Sequence, residues 1–123
     1  MKKFAFLIIS ILLISCGTTK KTSIKDEYNA KQDLNKIEYS GGNGNSIENA
    51  IIILKAKNSY EGIPAEYAYI EKLYGKRSVD WMFISQSLVS KKNKHYDVLT
   101  IVKLPSKKEM IIYFDISNFY GKY

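Results

Sequence analysis

One cysteine, one histidine, one tryptophan and two prolines are spread over 123 residues, and each scarcity closes off a class of protein. A lone cysteine, Cys16, allows no disulfide framework. Cys16 and His95 fall short of the three or four Cys, His or carboxylate ligands that zinc requires. Neither Asp26-Glu27 nor Asp115 with Asn118 makes the closely spaced oxygen cage of a calcium loop. No Gly-x-Ser-x-Gly elbow is present to raise a nucleophile, so Ser85, Ser87 and Ser90 are ordinary serines. Gly41-Gly42-Asn43-Gly44-Asn45-Ser46 is rich in glycine. No Gly-Lys-Ser/Thr follows it, which favours a hinge over a phosphate cradle. Neither a metal nor a cofactor is expected. Long apolar runs are missing too. A membrane-spanning helix needs about 20 apolar residues, and the longest run, Phe4 to Ile14, is broken by Ser10 and followed by Gly17-Thr18-Thr19-Lys20-Lys21.

What the chain does have begins at its start. Lys2 and Lys3 precede the apolar run, which ends in Leu13-Ile14-Ser15-Cys16. Positive residues, a short apolar stretch and a small residue before a cut are the pattern of an export signal. Leu13-Ile14-Ser15-Cys16 resembles the lipobox of bacterial lipoproteins. It has an aliphatic residue three positions before the cysteine, a small residue directly before it, and the cysteine itself. The resemblance implies cleavage between Ser15 and Cys16, a diacylglyceryl thioether on Cys16 and acylation (palmitate) of the new amino terminus. More than one acyl chain is what stable anchoring requires. Gly17 lacks the acidic start that retains some lipoproteins in the inner membrane, so the outer membrane is preferred.

Removal of the signal lowers the charge. The 19 basic residues less Lys2 and Lys3 leave 17, and 17 less 12 acidic residues gives +5 in place of +7. That balance suits an anionic surface or a solvated lysine-rich one. Nucleic acid is not an expected partner of an exported, tethered protein.

Three segments are expected: a signal peptide over 1–15, a lipidated cysteine with a flexible tether over 16–45, and a small domain over 46–123. The tether stretch is rich in Thr, Lys, Asn and Gly, with apolar residues too sparse to bury much. Ala50 to Leu54 predicts a central strand, being short, aliphatic and mostly β-branched. Asn58-Ser59 offers an N-cap, and Pro64 belongs in a first turn, so regular helix is predicted from about Ile63 to Tyr74, stopped by Gly75. Ile63, Tyr67, Ile70 and Tyr74, widened by Leu73, form the predicted apolar stripe, with Glu66, Glu71 and Lys72 on other faces. Val79 to Val89, Tyr96 to Leu104 and Met110 to Ile116 are three further strands, joined by polar turns at Ser90–Lys94 and Pro105–Lys108. The last of these strands alternates, with Met110, Ile112, Phe114 and Ile116 on one face. Phe119 is expected to pack back on the core. The fold class is therefore α+β: two layers, one helix on a mainly antiparallel four-stranded sheet, in the order β-α-β-β-β. Asn49 to Gly121 is similar to uncharacterised domains of small lipoproteins from Gram-negative bacteria. The shared features are the Gly/Asn entry, Ala65-Glu66-Tyr67 and Tyr113-Phe114-Asp115-Ile116. That resemblance carries no activity.

Function is narrowed to binding. Ten tyrosines exceed what one small core hides, and tyrosine serves contact surfaces because it is large, rigid and half polar. Tyr69, Tyr96, Tyr113 and Tyr120 are the candidate contact residues, with Tyr60 and Tyr123 beside them; Trp81 is assigned to the core. The expected role is that of a non-enzymatic module on the membrane that binds an envelope protein, including the case of an inhibitor or immunity-type protein. A glycan stacked on tyrosine rings is a further partner class. The alternative is a small glycan- or lipid-acting hydrolase drawing a carboxylate pair from Glu66, Glu71, Asp80, Asp97 and Asp115. His95 follows a lysine-rich turn and is expected to be a surface residue rather than a base.

Overall fold

A computed structural model describes residues 36–123, and the whole of that stretch folds around one sheet. The expectations for Ser15 and Cys16 lie outside the described residues. Five strands and one helix follow in the order β1 (Glu38–Gly41), β2 (Ile51–Leu54), α1 (Ser59–Tyr74), β3 (Trp81–Lys91), β4 (Lys94–Lys103) and β5 (Lys108–Asp115). The sheet runs β1-β2-β5-β4-β3. The class is α+β, with the helix layered on a sheet, but the sheet differs from expectation in two ways. It has five strands rather than four, and it is mixed, because β2 lies parallel to β5 while every other pair is antiparallel.

The added strand comes from Glu38-Tyr39-Ser40-Gly41, at the end of the stretch expected to be tether. Its alternation spans only four residues, and Tyr39 is its one large apolar side chain, so pattern alone does not reveal it. Tertiary contacts make the strand. Tyr39 sits opposite Ile53, its hydroxyl donates to the Ala65 carbonyl at 2.7 Å, and its ring lies 4.9 Å from that of Tyr69. Gly41, at φ 84°, turns the chain out of the strand, and a Cβ there would meet the Ala50 carbonyl oxygen at 2.4 Å. The parallel pairing follows from connectivity. The chain leaves β2 through α1 and returns by the β3–β4–β5 meander, so Ile51 and Ile52 reach Phe114 and Asp115 from the same direction.

The helix starts four residues earlier than predicted. Asn58 caps it, its side chain accepting from the Glu61 N–H at 3.1 Å, while Glu61 accepts in return from the Lys57 N–H at 2.9 Å. Pro64 therefore falls in the second turn, where it supplies no N–H to the Tyr60 carbonyl. That loss lies at the exposed start of the helix, beside a solvent-facing Tyr60. Gly75, at φ 99°, ends the helix, and its N–H closes on the Glu71 carbonyl at 2.9 Å.

The buried stripe is rotated from the predicted one. Gly62, Ala65, Glu66 and Ile70 are buried, whereas Ile63 and Leu73 face solvent. Small residues decide this. With no side chain on Gly62, the ring of Phe119 packs against the helix backbone; a Cβ there would lie 2.4 Å from it. Ile51, Ile53, Ile70, Trp81, Leu99, Ile101, Ile112, Phe114 and Phe119 fill the space between helix and sheet. Trp81 also donates from its indole nitrogen to the Gly75 carbonyl at 2.8 Å, so burial leaves its polar atom satisfied. Lys92 and Asn93, both with positive φ, close β3 and β4 with a two-residue turn, so the strands extend to Lys91 and Lys94, beyond their predicted limits.

Candidate functional site

The rotation of the helix carries a carboxyl group into the interior. Glu66 is 0 % exposed and Asp97, on β4, is 5 % exposed. The two face each other. As an anion, Glu66 has no hydrogen-bond partner for either carboxylate oxygen. Burial and the neighbouring Asp97 push its pKa from 4.5 up to about 10, so Glu66 holds its proton and donates it to Asp97. Burial raises the Asp97 pKa too, opposed by the bonds it accepts from Glu66, from the Gln86 side-chain nitrogen and from the Val98 backbone. Burial thus holds a proton on Glu66, in a bond to Asp97. Among the described residues no Lys, Arg or His forms an ion pair with either of them.

Asp97 opens on one side. A recess of about 230 Å³ lies between the start of α1, the middle of β3 and the residues after β5. Ile63, Leu88, Ile116, Phe119 and Tyr120 form its apolar walls, and Asp97 and Gln86 supply its polar floor. Leu88, half exposed, is the direct cross-strand neighbour of Asp97. The Tyr60 and Tyr123 rings meet edge to face beside the opening, 6.4 Å apart.

The two edges of the sheet differ. β1 has four residues, and β3, at the opposite edge, has 11. From Trp81 to Ser90, β3 contains neither a charged residue nor a proline. One bulge interrupts its ladder with β4 between Phe83 and Ser85. On the sheet face turned away from the helix, Met82 and Ile111 are exposed. At one end of that face, a groove of about 340 Å³ runs between the β1–β2 loop and the β3–β4 hairpin. Two of its three lysines are already engaged, Lys91 with Glu48 and Lys94 with Asp115, each at 3.5 Å.

The candidate tyrosines divide. Tyr96 is 8 % exposed and lines the groove beside the β3–β4 hairpin, and Tyr69 packs between Tyr39 and Phe114. Tyr113 is half-buried on the outer face. Tyr120, whose ring stacks 4.0 Å from that of His95, lies at the recess over Asp97. His95 itself is held by Ser90 at 2.8 Å and by the stacked ring. Of the five carboxylates considered for hydrolysis, Glu66 and Asp97 come together. Asp80 accepts from the Lys76 N–H at 2.6 Å, Asp115 bonds Lys94 and the Ser117 N–H, and Glu71 is exposed. No group of three or more potential metal ligands occurs among the described residues, and no helix there is long and apolar enough to cross a membrane.

Glu66 is the residue that pattern reading places on the wrong face. Gly62 and Ala65, spaced three apart, carried the available signal, since small residues mark where a helix approaches its neighbour closely. Comparison with protein-family models, curated proteins and solved structures returned no match to this chain.

Proposed function

We propose that this chain is a cell-envelope lipoprotein, anchored through Cys16, whose sheet captures an extended segment of another envelope protein along β3. The bare edge is the observation that carries the binding half. Backbone N–H and C=O groups on an unpaired edge form a ready template for a further strand, and native proteins usually blunt such edges with charge or proline. Here Met82 to Ser90 carry neither, while Trp81 at the near end is already bridged to Arg77, its carbonyl accepting from the Ser78 N–H at 2.7 Å. A protein main chain supplies the matching ladder of donors and acceptors, which a glycan does not. The lipobox-like Leu13-Ile14-Ser15-Cys16 supports the anchoring half. Confinement at a membrane raises the effective concentration of both partners without any new contact.

Hydrolysis by a carboxylate pair has one observation in its favour, the meeting of Glu66 with Asp97. A general acid must come within about 3 Å of the oxygen it protonates. Glu66, 0 % exposed, is closed to any substrate atom, which weighs for binding.

Photo-crosslinkers placed at Ser85 on β3 and, as a control, at exposed Glu71 on α1 test the reading in the native host. The expected result is one crosslinked product from Ser85, none from Glu71, and loss of both the product and acyl labelling in Cys16→Ala. Equal crosslinking from the two positions, or none from Ser85, overturns it.

A further inference from the structure

The recess over Asp97 has a polarity that its own chain leaves unmatched. Buried carboxylates in folded proteins are ordinarily paired with a cation or fully hydrogen-bonded. Asp97 receives bonds from Glu66, Gln86 and Val98 but no ion pair, and Glu66 behind it is fully buried. Of the two carboxyl groups only Asp97 lines the recess, and no cation of the described residues pairs with it there. The walls suit an aliphatic stem: Ile63, Leu88, Ile116, Phe119 and Tyr120 leave about 230 Å³. We propose that this recess is a binding site for a basic side chain, its methylenes lying on Leu88 and Tyr120 and its ammonium or guanidinium reaching Asp97. A buried acid at the base of an apolar slot selects cations with a long apolar stem over short or neutral groups. Leu88 and Ser87 lie on β3, so the site would read one residue of the strand proposed above. That source of the side chain rests on the β3 reading; the chemistry of the recess does not.

Amide chemical shifts of the full mature chain, titrated with Nα-acetyl-lysine amide and with its uncharged norleucine counterpart, test the proposal at neutral pH. The lysine probe is expected to shift the Ser87, Leu88 and Tyr120 amides saturably, with norleucine at least about tenfold weaker, and Asp97→Asn to weaken the lysine probe by more than about tenfold. Leu88→Lys is the second variant. It sets an ammonium directly across from Asp97 from an exposed position, so it keeps the fold and should abolish probe binding by occupying the site. Equal binding of lysine and norleucine, no saturable shift, or undiminished binding in Leu88→Lys each overturns the proposal. Saturable lysine binding without crosslinking from Ser85 keeps the recess and discards the added strand. Crosslinking from Ser85 without lysine binding discards the recess alone.

Discussion

Replacing Glu66 by Gln should make the domain more stable at neutral pH and remove most of its sensitivity to alkali. In the folded chain Glu66 keeps its proton until about pH 10, against an ordinary value of 4.5 for the exposed group. Between those values the folded state binds a proton that the unfolded state has released. Unfolding free energy therefore falls as pH rises, by at most about 1.4 kcal/mol per unit. From pH 4.5 to pH 7 the loss is on the order of 3 kcal/mol. Asp97 from β4 acts in the same direction as burial on Glu66, while Gln86 from β3 bonds Asp97 and lowers the pKa of that group alone. Gln has nearly the size of Glu and donates from its amide at every pH, so the contact with Asp97 survives without a proton to lose. The variant should match wild type near pH 4 and exceed it at pH 7 to 8, with a Tm gap on the order of 10 °C for a domain of this size. Thermal unfolding followed by circular dichroism at four values between pH 4 and 8.5 measures this. Parallel Tm-against-pH curves for the two proteins would mean that Glu66 is ionised or hydrated in the fold, and the account of the carboxyl pair would be refuted.

Phe119→Ala should cost about 3–5 kcal/mol in urea unfolding, because a fully buried ring is removed from under the first turns of α1. Gly62→Ala should also destabilise, by about 1–3 kcal/mol, although alanine favours helix, since its Cβ would press on that ring; a stabilised variant would contradict the packing described. Asn58→Ala should lower stability by about 1 kcal/mol through loss of the cap, with Asn58→Gly costing less. Tyr39→Phe should cost about 1 kcal/mol by removing the second bond to the Ala65 carbonyl, which keeps its helical donor, and equal stability of the two proteins would show that β1 is held without that hydroxyl.

The parts of the fold that were legible are those where one periodicity extends over many residues. β5 alternates along its length, so Met110, Ile112 and Phe114 face the helix as the pattern required. Asn58, Gly75 and the polar turn around Lys92-Asn93 mark their boundaries by local chemistry, and all three act there. β1 was not legible because four residues carry too little pattern, and its pairing depends on Tyr39 finding Ala65, 26 residues away. The parallel contact of β2 with β5 was hidden for a related reason: antiparallel turns announce themselves in sequence, whereas a return through a helix and two strands does not. The carboxyl pair was only half visible. Glu66 and Asp97 stood among five acidic candidates, but a charged residue on an amphipathic helix is normally outside, and only the small Gly62 and Ala65 hinted at the true inner face. Pattern alone also leaves Tyr69 and Tyr96 undivided between core and contact, since tyrosine fills a sheet interior as readily as it meets a partner.

The pairing of Ile51 with Phe114, together with Phe119 beneath Gly62, has a consequence for how the molecule comes into being. The cluster that buries Ile51 and Ile53 is completed by Ile112, Phe114, Ile116 and Phe119, synthesised near the end, and the Ser59 N–H finds its acceptor at Lys122. While those last residues are still in the ribosome, the earlier ones lack the strand and the ring that complete their core. Non-local closure of this kind delays folding until the chain is released. A polypeptide built this way settles into shape only once its last residues are free to close the sheet.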